Sequence, residues 1–146
     1  MSTATLTPAL IPAPRRAPRP AAAAPTPRAA LGLLRQATEG LSEAHRRPEP
    51  LMRYPAAYLA ALRAGAAVLA LRARPAPRRG SRSVWLLLAD VAPELAEWAA
   101  YFASCSATRA AAEAGIERLV STRDADDLLR QAEQFVELVT ELVEGR

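Results

Sequence analysis

Two side chains in this sequence are intrinsically reactive near neutral pH, and each occurs once: His45 and Cys105. An imidazole can give or take a proton there, and a thiolate can attack an electrophile or bind a metal. Both roles need a second group at short range. No pairing of the two with each other, or of either with a carboxylate, falls at a metal-ligand or nucleophile spacing. No catalytic residue, metal ligand or cofactor is therefore assigned. His45 reads as a packing or capping residue at the end of a helix. Cys105 lies in the uncharged stretch 98–108, where a small buried thiol is expected, and one cysteine excludes an internal disulfide.

The remaining chemistry belongs to arginine. All nineteen basic residues are arginine, a bias that GC-rich codons favour. Arg72, Arg74, Arg78, Arg79 and Arg82 crowd around Pro75, Pro77 and Gly80, a basic loop that could neutralise the phosphates of RNA or a nucleotide. Arg15, Arg16, Arg19 and Arg28 could add a second basic strand. Against this, neither segment interleaves aromatic residues for base stacking, and no groove-reading motif is present. Arg109 and Arg123 could face a polar pocket, or each could pair with the carboxylate four residues on, Glu113 and Asp127. The acids of residues 124–144 lack an accompanying histidine and read as a solvated helix face, so no metal is expected there.

Chain length and charge narrow the frame. At 146 residues, half of them apolar, the chain fits one domain with a modest core. Residues 1–82 carry fourteen arginines against three glutamates, while residues 83–146 carry five against twelve acids, so a net charge of +4 hides a strong asymmetry. The stretch 98–108 is about half the ~18–20 apolar residues that cross a bilayer. No membrane segment is expected. The N-terminal prolines oppose a transit-peptide helix, and the expected compartment is the bacterial cytoplasm.

The elements that must position these side chains are all helical. Residues 1–27 contain seven prolines among small residues and read as a disordered arm; residues 28–146 form the folded domain. The first helix follows Thr26-Pro27 with Leu31, Leu34, Thr38, Leu41 and His45 on one stripe, widened by Leu33, Ala37 and Ala44. Pro48 and Pro50 end it. The second starts at Tyr54-Pro55 and stops before Pro75, with Tyr58, Leu59, Leu62, Ala66, Leu69 and Ala73 on one face and Gly65 allowing close helix approach. Ser83 caps a third, bearing Trp85, Leu88, Val91, Leu95, Trp98 and Phe102, which Pro93 must kink. Gly115-Ile116 has the form of a left-handed helix stop. Ser121 or Thr122 caps a last helix, whose stripe runs from Ala125 through Phe135 to Val143. With no strand-like alternation, the class is all-α, an antiparallel bundle of four to five helices.

The segments Tyr58 to Ala70, Trp85 to Ala99, Ala107 to Ile116 and Thr122 to Arg130 resemble an actinobacterial branch of the HEPN family, the higher eukaryotes and prokaryotes nucleotide-binding domains. The resemblance covers roughly residues 30–144. It implies a helical bundle, often a homodimer, that in many members is an RNA-cutting toxin or effector and in others a non-catalytic binding domain. Catalytic members carry an arginine, four to six spacer residues and a histidine. Here Thr38, Glu39 and Gly40 precede His45 at those distances, and Leu128, Leu129 and Arg130 follow Arg123, so no catalytic residue is carried over. The expectation is a non-catalytic interaction domain that binds a protein partner or itself. Its alternatives are RNA or nucleotide binding through the arginine loop and, third, a ribonuclease with an altered site. Tyr101 and Phe102, adjacent on one helix, cannot both face inward, and Tyr101 is the expected interface residue.

Overall fold

The computed structural model describes residues 27–72 and 83–145; the arm through Thr26 and the loop residues 73–82 lie outside the described residues. Among the described residues there are six α-helices: α1 (Arg28–Arg46), α2 (Pro50–Leu71), α3 (Val84–Val91), α4 (Ala96–Ser104), α5 (Ser106–Glu113) and α6 (Thr122–Glu144). One turn of 3-10 helix, Pro93–Leu95, sits between α3 and α4, and a second, Glu117–Leu119, leads into α6. Among the described residues there is no strand. Taking α3 and α4 as one bent element, the bundle has five members.

Local chemistry explains most of the boundaries. Pro27 occupies the N-cap of α1, one position later than Thr26, where the sequence reading placed the cap. Ser83 accepts a hydrogen bond from the Leu86 amide (3.1 Å) and starts α3. Pro93 breaks the following helix at Ala92, as its missing N–H requires. After α5, Gly115 takes φ +77°, the Gly115 amide bonds the Ala112 carbonyl (3.0 Å) and the Ile116 amide reaches back to Ala111 (3.0 Å). That pair of bonds is the left-handed stop anticipated from Gly-Ile. Ser121 and Asp124 complete a reciprocal capping box on α6, with bonds of 2.9 and 3.1 Å.

Two boundaries and one register differ from the sequence reading. α2 begins at Pro50, four residues before Tyr54, because proline suits the first turn of a helix. Pro55 therefore lies inside α2 rather than at its start. The connection from α1 shrinks to Arg47–Glu49 and forces α1 and α2 antiparallel. On α1 the buried face is Ala30, Leu34, Ala37 and Ala44, whereas Leu31, Thr38 and His45 are exposed. The packed stripe thus lies one residue round from the one read from the leucines, because alanines let α2 approach closely.

α2 is the central helix, packed against α1, α3, α5 and α6. Gly65 lets α3 come close: a Cβ there would meet the Trp85 ring at 3.1 Å and Val84 at 3.3 Å. α2 and α6 run in the same direction, their first turns lining one recess, and α1 runs opposite to both. At the centre Phe102 stacks with Trp85 and Trp98, Phe135 packs edge-on to Trp85 and tilted against Trp98 and Phe102, and Tyr58 accepts the indole N–H of Trp85 (2.9 Å). Among the described residues, α2 alone has the length and apolarity to cross a bilayer, and 56% of that window is buried in the bundle.

Candidate functional site

The end of α1, the start of α2 and the first half of α6 meet in a charged rim, and Arg53 organises it. The early start of α2 places Arg53 in its first turn, opposite the last carbonyls of α1. Its Nε donates to the Ala44 carbonyl (3.0 Å), Nη2 to the His45 carbonyl (3.1 Å) and Nη1 to Asp126 Oδ1 on α6 (2.7 Å). The side chain is 17% exposed. One guanidinium therefore satisfies two helix-end acceptors and an acid from a third helix, the geometry for which arginine's fork of donors is suited.

His45 lies beside this clamp. Its Nε2 meets the Glu133 carboxylate of α6, and its side chain is 56% exposed. The packing or capping role read from the sequence is not what the fold gives His45. The register of α1 turns it outward, and Arg53 takes the capping role. Around the pair, Arg46 and Arg47 both reach Glu43 (2.6 and 2.8 Å), which holds that carboxyl below the ordinary carboxylate range, the Arg46 hydrogen bond contributing most. Arg130 and Arg123 both turn to Asp127, the latter at 3.8 Å. A histidine against a carboxylate is a group able to move a proton. The neighbouring guanidiniums that would hold phosphate charge are engaged with carboxylates or carbonyls.

The sequence-derived candidates distribute as follows. Arg72 bridges the end of α2 to the kink, donating to Glu94 (2.7 Å) and to the Val91 carbonyl (3.3 Å). The Arg72 hydrogen bond is the main cause holding Glu94 below its ordinary range. Arg74, Arg78, Arg79 and Arg82 lie outside the described residues. Arg109 pairs with Glu113 (3.1 Å) and lies 4.9 Å over the Tyr58 ring, its buried Nε without a partner. Arg123, 89% exposed, pairs on its own helix with Asp127. Each takes the four-residue partner anticipated for it, on α5 and α6 respectively.

Tyr101 is half-buried, edge-on to fully buried Phe102, in a recess of about 310 Å³ with Glu97, Trp98 and Gln131. Burial first, then the Cys105 thiol and the Asp127 carboxylate, push its phenol up to about 12. Tyr54, buried and donating to the Cys105 carbonyl (3.5 Å), is pushed up as well, chiefly by burial. Cys105 itself is buried. Among the described residues no three of His, Cys, Asp and Glu stand together as a metal site. Sequence reasoning missed Arg53 and read Asp126 and Glu133 as part of a solvated helix face, because the partners of the two ion pairs lie 73 and 88 residues apart. The proline pair ahead of Arg53 was the available signal, had Pro50 been read as a helix start.

The chain matches the HEPN_SAV_6107-like family of HEPN domains over residues 44–140, from the end of α1 into α6, and it belongs to that family. The matched span includes both His45–Glu133 and Arg53–Asp126. Comparison with curated proteins and with solved structures finds no match.

Proposed function

We propose that this HEPN domain works by binding a protein surface, including a second copy of itself, and does not cut RNA. One observation carries the reading. Arg53, which the fold brings against His45, gives its donors to two main-chain carbonyls and Asp126, so it is a structural clamp where a ribonuclease site would need a guanidinium turned to phosphate. The sequence agrees, with no arginine ahead of His45 across four to six spacer residues, the family's order. Arg72, the one described member of the basic loop, is likewise paired with Glu94. The test is incubation of the purified protein with single-stranded and structured RNAs. The expected result is intact RNA. Cleavage that is lost in both His45→Ala and Arg53→Ala would overturn the reading.

A further inference from the structure

The sequence of α4 sets Glu97, Trp98 and Tyr101 on one flank, because residues three and four apart are neighbours on a helix surface. Trp98 is tied to the core through Phe102 and Phe135, with ring centres 6.1 and 5.5 Å away, and Tyr101 packs edge-on to Phe102. Both rings are thereby held in place while only half-buried. Gln131 of α6 joins them, and the four side chains line a recess of about 310 Å³, at the small end of ligand sites and suited to one long side chain. The walls are aromatic; the polar groups are a carboxylate and a carboxamide. Among the described residues Glu97 joins no ion pair and the Gln131 side chain makes no hydrogen bond. Arg130, the residue before Gln131, is held by Asp127.

We propose that this recess takes an arginine side chain of a partner protein, an inference that rests on the protein-binding reading and names the chemistry of the partner. A guanidinium is planar, stacks on aromatic faces and donates from its edge to carboxylate and carboxamide oxygens, the groups that the recess presents together. The molecule builds the same arrangement once within itself: Arg109 lies 4.9 Å over the Tyr58 ring and pairs with Glu113 at 3.1 Å. Tyr101 and Glu97 repeat that tyrosine and carboxylate at the surface. The surrounding charge has the sign that draws such a partner in. Residues 83–146 carry twelve acids against five arginines, and of those five Arg109, Arg123 and Arg130 are already paired with carboxylates. Glu137 and Glu141 stand exposed on the following turns of α6. A nucleic-acid base would stack on the same rings, but its phosphates would be repelled by this acidic half of the chain.

The probe is a fluorescently labelled acetyl-Gly-Arg-Gly-Arg-Gly amide, titrated with the full chain and followed by anisotropy. The expected result is saturable binding that weakens with salt and is at least about tenfold weaker for the peptide with citrulline, the uncharged isostere, in place of arginine. Tyr101→Leu, which keeps apolar bulk but removes the ring, should weaken binding about threefold or more with unchanged helicity by circular dichroism. Glu97→Gln, at an exposed position that leaves the fold alone, should weaken it about threefold and keeps the test decisive even if the tyrosine variant fails to fold. Absence of saturable binding overturns the proposal, as does equal binding of the citrulline peptide or binding indifferent to both substitutions. A single-stranded oligonucleotide whose binding is lost in Tyr101→Leu overturns it in favour of nucleic acid. Tighter peptide binding by the chain carrying Arg15→Gln, Arg16→Gln and Arg19→Gln overturns the partner in favour of the chain's own arm. RNA cleavage would overturn the protein-binding reading without altering the titration, whereas a failed titration with intact RNA overturns this recess alone.

Discussion

Phe102 and Phe135 meet with ring centres 5.1 Å apart and no access to water, whereas His45 and Glu133 meet with about half of each side chain in solvent. Both contacts join helices distant in sequence, yet they differ in what they hold. The aromatic centre removes large apolar surface from water and cannot relax without leaving a cavity. The rim exchanges hydrated charges for ion pairs in high dielectric, where little net energy remains. Arg53 is the exception within the rim, because it is mostly buried and serves backbone acceptors. The difference teaches that stability in this bundle follows burial, and that the charged rim sets which helix ends meet.

The largest effect expected is at the centre. Phe135→Ala should cost about 3–5 kcal/mol of unfolding free energy in urea titrations, and a loss below about 1 kcal/mol would break the contrast. Arg53→Ala comes next, at about 1–3 kcal/mol, since it strands the Ala44 and His45 carbonyls and Asp126; a neutral result would mean that water replaces the clamp. Ser121→Ala should cost about 1 kcal/mol by removing half of the capping box, measured the same way. His45→Ala should cost at most about 1 kcal/mol and the cost should shrink in high salt.

The smallest effect lies at the far end of α2. Glu94 is held below its unfolded value of 4.5 by Arg72, so its contribution is present above pH 4.5 and is lost as the pH falls through the lower folded value. Arg72→Ala should flatten that part of the acid limb of melting temperature against pH. An unchanged limb would show that the pair contributes nothing there.

Much of this was legible along the chain. The Pro93 kink, the Gly115 stop, the Ser121 cap and the broad stripe of α6 depend on φ restriction, local hydrogen bonds and a 3.6-residue period, all properties of neighbours in sequence. The place of the sole histidine was harder to read. A leucine-weighted stripe pointed His45 inward, but the small faces of Ala37 and Ala44 let α2 come close and turned the stripe by one residue. Pro55 looked like a start because proline restricts its predecessor, while Pro50 offered an equally good start one turn earlier.

By itself the sequence determined the class of the fold, the helix ends at Ser83, Pro93, Gly115 and Ser121, and the lack of an arginine at the ribonuclease spacing from His45. The tertiary structure alone decided that His45 would meet Glu133, that Arg53 would be taken up by Asp126 and the end of α1, and that Leu59 and Ala66 would lie on the open side of α2. The physical reason is one of range. Capping and helix period act over about four residues, while ion pairs between helices and the choice of which face of an all-apolar helix is covered depend on how close-packed neighbours from across the chain settle against it.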